Sequence, residues 1–125
     1  MSVNPDYPLV NAEDQTEDPA SLYHYWASVL KLRKQYLDIF VYGNYELVDR
    51  DSQEIFAYTR QYEGQKALVL ANWTDKELEW DAAGNGITGV KDVLLNSYES
   101  AEGAKKRVSS AKWSLRPYEA IVALV

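Results

Sequence analysis

The hydrophobic pattern of this chain changes period once, near Gly43, and does not change back. Before that point Leu22, Trp26, Val29, Arg33 and Tyr36 follow one another at steps of three or four, and Leu30 and Leu37 widen the stripe. Such spacing marks one face of an α-helix with 3.6 residues per turn. Asp18 is a suitable N-cap, and Pro19 suits the first helical position, where its missing N–H is no loss. Lys31, Arg33 and Lys34 fall at the end where the helix dipole favours cations. The spacing predicts a helix over residues 19–37. The residues before it, with Pro5, Pro8 and Asn11, read as irregular and extended, because each proline fixes its own φ and biases its predecessor away from helix.

Beyond Gly43 the pattern is one of short runs and alternation. Tyr45 to Val48 reads as a strand, then a polar turn, then Ile55 to Tyr62 alternates as far as Glu63-Gly64. Ala67 to Ala71 is a continuous apolar run, as expected of a central strand buried on both faces. Glu77 to Trp80, Val90 to Leu95, Trp113 to Leu115 and Ala120 to Val125 complete the set, with Gly84, Gly86 and Gly89 marking a loop. Short strands at this turn-punctuated spacing predict a mostly β fold with one N-terminal α-helix, its main part an antiparallel β-sandwich. A chain of 125 residues suits one ordinary domain with an element attached. The helix precedes the strands instead of alternating with them, so it either packs on the sandwich or belongs to something else.

Composition removes several function classes. A net charge of −6 leaves no excess of Lys and Arg to displace phosphate counterions, so nucleic acid is not an expected partner. The basic run Lys105-Lys106-Arg107 reads as a solvated loop. No apolar stretch approaches the ~20 residues needed to span a bilayer, and no membrane partner is expected. Asn4, Pro5 and Asp6 interrupt any apolar leader. The chain has no Cys, which excludes disulfides and thiolate metal sites and fits a reducing compartment; a cytoplasmic location is the expectation. Asn72-Trp73-Thr74 is formally a glycosylation acceptor, but its place at a strand end argues against use.

No catalytic constellation emerges from the residues themselves. Glycoside cleavage needs two carboxyl groups flanking one bond. Asp49 with Asp51, and Glu77 with Glu79, are spaced to share a strand face, yet 19 acidic residues in a chain this short produce such pairs by chance. A solvated strand edge accounts for them better. His24, the only histidine, sits near the helix start, where a helix flank is a simpler explanation than a base or a metal ligand. Ser97, Ser100, Ser109, Ser110 and Ser114 lack a nucleophile context, and the Gly84–Gly89 loop lacks that of a dinucleotide or phosphate loop. No catalytic, cofactor-binding or metal-binding residue is assigned, and no cofactor is expected. Trp73, Trp80 and Trp113 are the candidates for carbohydrate contact, since flat rings can stack on sugars. Large rings also fill sandwich cores, and the core is expected to claim at least two of the three.

Several segments, taken in order, are recognisable. Val3-Asn4-Pro5-Asp6-Tyr7 with Asn11-Ala12, Asp18-Pro19-x-Ser21, Tyr25-Trp26, Leu30-x-Leu32-Arg33-Lys34 and Tyr42-Gly43-x-Tyr45-x-Leu47 come first. Phe56-Ala57-Tyr58-x-Arg60, Leu68-Val69-x-Ala71-Asn72 and Leu115-Arg116-Pro117-Tyr118-Glu119-Ala120 follow. Together they resemble the C-terminal region of α-glucosidases of the maltase and oligo-1,6-glucosidase type, in the α-amylase family. The resemblance covers nearly the whole chain and rests on the order and spacing of motifs that are weak singly. One departure lies at the start, where the family often carries Arg before the Val-Asn pair and Ser2 stands here.

The resemblance implies an α-amylase-type C-terminal sandwich preceded by the last helix of a missing (β/α)₈ barrel. On that reading residues 1–18 are the remnant of an extended substrate-side loop, 19–44 a barrel-derived helix and linker, and 45–125 the sandwich. The family's catalytic carboxylates lie on earlier barrel strands, so none maps onto this sequence. The implied function is a non-catalytic structural region of an enzyme that hydrolyses terminal α-linked glucose from maltose- or isomaltose-type saccharides. Its implied partners are the catalytic barrel and, for the isolated chain, a second copy through the helix face. The alternative is a carbohydrate-binding β-sandwich module that takes maltose or isomaltose on surface Trp residues.

Overall fold

Two eight-residue strands, β2 (Ile55–Tyr62) and β3 (Gln65–Asn72), meet at a two-residue turn in which Glu63 and Gly64 both have positive φ, 44° and 80°. Turns of that hand match the twist of the strands they join, and Gly64 supplies the left-handed backbone without strain. The computed structural model describes residues 2–108 and 110–125. It divides into two compact units, Met1–Gln35 and Tyr36–Val125.

In the larger unit β1 (Asn44–Val48) pairs with β2, and β7 (Ala120–Leu124) inserts between β3 and β5 (Asp92–Asn96). The resulting five-stranded sheet has the order β1-β2-β3-β7-β5 and is antiparallel throughout. A second sheet of two strands, β4 (Leu78–Asp81) and β6 (Lys112–Leu115), completes the sandwich. Ile55, Ala57, Leu68, Leu70, Ile121 and Ala123 from the large sheet share one core with Trp80, Trp113 and Leu115 from the small one. Strand alternation explains this: on β2 the inward set is Ile55, Ala57 and Thr59, while Phe56, Tyr58 and Arg60 face out. The antiparallel sandwich read from the sequence is the fold observed, with strand limits close to those expected.

Four helical segments differ from that reading, two in this unit and two in the smaller one. A π-helical turn, Asp38–Tyr42, belongs to the larger unit. The Arg60 guanidinium donates to the carbonyls of Ile39, Phe40 and Val41 at 3.2–3.4 Å, and Ile39 is buried. Residues 36–44 are thus folded onto the sheet rather than strung out as a linker. Lys105, Lys106 and Arg107 do not lie in a loop but form the last turn of α3 (Ala101–Arg107). The Ser100 hydroxyl caps that helix by accepting from Gly103 N–H, and only Ala104 is buried within it, so no apolar stripe advertised it.

The smaller unit is helical. Asn11 caps α1 (Ala12–Glu17), its side chain accepting from Asp14 N–H at 2.9 Å. Asp18 closes that helix instead of opening the next, and its carboxylate caps a turn by accepting from Ala20 N–H at 2.8 Å. The main helix, α2, therefore starts later than expected and runs Leu22–Gln35. Ser21 fixes the corner, donating to Gln15 carbonyl at 2.6 Å while its oxygen lies 3.4 Å from His24 N–H. No residue of α2 is buried; Leu22, Trp26 and Leu30, at successive steps of four, are 61%, 57% and 52% exposed.

Candidate functional site

Two of the three tryptophans read as carbohydrate contacts are core residues. Trp80 and Trp113 face each other across β4 and β6, with ring centroids 5.6 Å apart in an edge-to-face arrangement. They are 2% and 1% exposed, so neither offers a ring face to a ligand. Their indole N–H groups are satisfied internally, by Asp49 Oδ2 at 3.0 Å and by the Ser110 carbonyl at 2.9 Å. Trp73 is different: it sits just beyond β3 and is 68% exposed.

One carboxylate of each sequence pair, Asp49 and Glu79, is engaged in a structural bond. Asp49, Asp51, Glu54, Glu79 and Asp81 line an open cleft of about 430 Å³. Within it Asp49 holds the Trp80 indole, Glu79 pairs with Lys112 at 2.8 Å, and Asp81 accepts from Gly84 N–H at 2.9 Å. A general acid needs a carboxyl in apolar surroundings, and Asp51, Glu79 and Asp81 are all exposed. His24 bonds the Thr16 carbonyl at 3.0 Å across the α1–α2 corner. Ser97 accepts from Ala120 N–H and Ser100 caps α3, while Ser109 lies outside the described residues. Among the described residues no group of three or more His, Asp or Glu is placed to hold a metal ion. No described helix is long and apolar enough to cross a membrane.

Asn72, the formal glycosylation acceptor, is 3% exposed and fully engaged. Its amide donates to the carbonyls of Lys76 and Arg116 at 2.7 and 2.9 Å, while its oxygen accepts from Thr74 N–H and Thr74 hydroxyl at 2.8 Å. A glycan on that nitrogen would break the joint between β3, the following turn and the approach to β7.

One charged centre escaped the reading of the sequence. Glu119, whose side chain is fully buried, accepts from Asn96 Nδ2 at 2.7 Å, from Arg116 N–H at 2.7 Å and from the Arg116 guanidinium at 3.0 Å. Arg107 is its second cationic contact, and Glu99 bridges both arginines at 2.8 and 2.6 Å. Burial alone would raise the Glu119 pKa, but the bonds from Arg116, Asn96 and Arg107 outweigh it and hold the carboxyl below its usual range. The same bond to Glu119 raises the Arg116 pKa. This cluster ties β5, α3 and the entry to β7 together. Only its Arg116–Glu119 arm is local, since Arg107 and Glu119 are 12 residues apart.

The outer face of the large sheet carries the feature with the widest consequence. Leu47, Tyr58, Val69, Val122 and Leu95 stand opposite one another in register, one from each strand, on the side away from the core. All five are half-buried. A sheet with one face in water normally alternates apolar-in with polar-out; this one is apolar on both sides.

What the site defines is an antiparallel sandwich in which Asp49, Glu79 and Asp81 make bonds within the fold and whose large sheet is apolar on both faces. The chain belongs to the family of the alpha-amylase SusG C-terminal domain, whose model matches residues 55–122. It is 34% identical over 124 residues to an oligo-1,6-glucosidase of Halalkalibacterium halodurans and 37% identical over 124 residues to a probable oligo-1,6-glucosidase of Bacillus subtilis. Each match covers 99% of this chain but 21% of the relative, so the chain spans about a fifth of their length. It also superposes on the trehalose-6-phosphate hydrolase of Bacillus licheniformis with a TM-score of 0.83 at 28% identity, over 99% of this chain and 22% of that one.

Proposed function

We propose that the chain is the non-catalytic C-terminal region of a retaining α-glucosidase acting on terminal α-linked glucose in maltose- or isomaltose-type saccharides. Its work is packing. The partner is the catalytic (β/α)₈ barrel of the parent enzyme, which needs about 250 residues of its own. Residues 1–18 are then the remnant of a loop on the substrate side, 19–44 the last barrel helix with its connection, and 45–125 the covering sandwich. The absence of cysteine supports a reducing, cytoplasmic setting.

The single observation that carries this reading is the exposed apolar stripe of α2. The Leu22-Trp26-Leu30 stripe of α2 is exposed along its length, and the outer face of the large sheet presents its own apolar row. Burying a Trp or Leu of this kind is worth about 1.5–3 kcal/mol. In the full-length enzyme Trp26→Ala should therefore lower Tm while leaving KM for maltose nearly unchanged. A large rise in KM at unchanged Tm would place Trp26 on the substrate side and end the packing account. The isolated chain should release no glucose from maltose or isomaltose.

A further inference from the structure

The turn that leads into β7 has a residue its backbone does not ask for. Arg116, Pro117, Tyr118 and Glu119 close a four-residue turn, with Glu119 N–H donating to the Arg116 carbonyl at 3.1 Å. Pro117 takes the second place and Tyr118 the third, with φ of +53°. That place in such a turn belongs to glycine or asparagine. Asp49 and Glu63 also have positive φ, but Asp49 gains the bond to Trp80 and Glu63 the hairpin geometry. Tyr118 itself stays 64% exposed in the folded chain. An aromatic ring is thus held out in solvent on a strained backbone, a pattern that points from an outlier to a function.

Two more exposed aromatics lie beside the same turn, Tyr98 bonded to it directly and Trp73 next in sequence to Thr74, which is bonded to it. Tyr98 is 52% exposed, with its hydroxyl fixed on the Pro117 carbonyl at 2.6 Å and its ring 4.5 Å from the Arg116 guanidinium carbon. Tyr118 N–H donates to the Thr74 carbonyl at 3.0 Å, which puts the backbones of Trp73 and Tyr118 within about 10 Å of each other. Glu54, Asp75 and Lys76, all exposed, adjoin Trp73 and can bond hydroxyl groups. The exposed carboxylates of Glu54 and Asp75 beside Trp73 weigh against an anionic ligand there.

We propose that Trp73, Tyr98 and Tyr118 form a binding platform for a neutral oligosaccharide, a molecule with flat C–H faces and a rim of hydroxyls. That the sugar is an α-linked glucan rests on the proposed function; that it is a sugar rests on the platform itself. Trp73 stays in the carbohydrate-contact set, while Tyr98 and Tyr118 take the places that Trp80 and Trp113 cannot fill.

The test is a titration of the chain with maltoheptaose, followed in ¹H–¹⁵N spectra. Saturable shifts are expected at the Trp73 indole N–H and at the amides of residues 97–98 and 118–119, weakened about fivefold or more in Trp73→Ala and Tyr118→Gly. Tyr118→Gly is the decisive variant, because glycine accepts this backbone and Tm should hold or rise. No saturable shift at about 10 mM sugar would overturn the proposal. So would undiminished binding by Tyr118→Gly, or shifts confined to α2. Binding to a non-glucose oligosaccharide with none to maltoheptaose would keep the platform and remove the α-glucan assignment. None of these outcomes touches the Tm test of Trp26, so the platform and the packing role stand or fall separately.

Discussion

The two compact units contain the same kinds of apolar residue and put them to opposite use. In the sheet unit Trp80, Trp113, Leu68, Leu70 and Ile121 are almost fully buried and touch one another. In the helical unit Leu22, Trp26 and Leu30 line up with equal regularity, yet no residue of α2 is buried. A strand pair can find its second layer within a short stretch of chain, as β4 and β6 do for the large sheet. One helix and a six-residue companion cannot. The sheet unit closes its core from its own strands, whereas the helical unit leaves its apolar stripe exposed.

That contrast can be broken at several points. The largest effect is expected from Trp80→Ala or Trp113→Ala, each of which empties a core position and should cost about 3–5 kcal/mol in urea unfolding of the chain. A loss under 1 kcal/mol would mean that the two indoles are not the keystone between the sheets. Glu119→Gln comes next, at about 2–4 kcal/mol, since two arginines lose their buried carboxylate. Its pH dependence fixes the sign. A carboxyl held below its unfolded value contributes fully above that value, about 4.3 for glutamate, and the contribution fades as pH falls through the lowered folded value. The variant should therefore lose less stability than the parent on acidification below about pH 4; equal losses would remove Glu119 from the acid response. Gly43→Ala should cost about 1–3 kcal/mol, because a Cβ there would lie 2.4 Å from the Ile39 carbonyl oxygen and 3.0 Å from that of Gln61. The smallest effect belongs to the helix. In the isolated chain Trp26→Ser should change stability by less than about 0.5 kcal/mol while reducing self-association in sedimentation. A large destabilisation there would show that α2 is already packed, and the contrast between units would vanish.

The sheet was readable because its signal is local and redundant. Ile55 to Tyr62 alternates over eight residues, and Glu63-Gly64 announces its turn, so both strands and their register follow from neighbouring residues. Helices α1 and α3 were less visible for a physical reason: neither buries an apolar stripe, and short helices are held by capping and ion pairs. Ser100 followed by Glu102, with Lys105 to Arg107 at the far end, was the available sign of α3, a cap and a charge gradient that suit the helix dipole. The tryptophans show the limit of residue type as a guide. Trp73 and Trp80 are seven positions apart in similar contexts, and only the pairing of β4 with β6 decides that one is dry and the other wet. The bond from Tyr98 to the turn that carries Tyr118 was hidden for a related reason, since 19 residues and a helix separate Tyr98 from Pro117.

The position of β7 sets a schedule for synthesis. It comes last in chain order among the seven strands described, yet it lies inside the large sheet with β3 on one side and β5 on the other. Until residues 120–124 leave the ribosome, β3 and β5 each keep an open edge, and the inward faces of Leu68 and Leu70 lack Ile121 and Ala123. Unpaired edges of this kind are where nascent chains join to one another. The closing step is therefore long-range and late, and the interval before it is the period in which a chaperone has the most to shield.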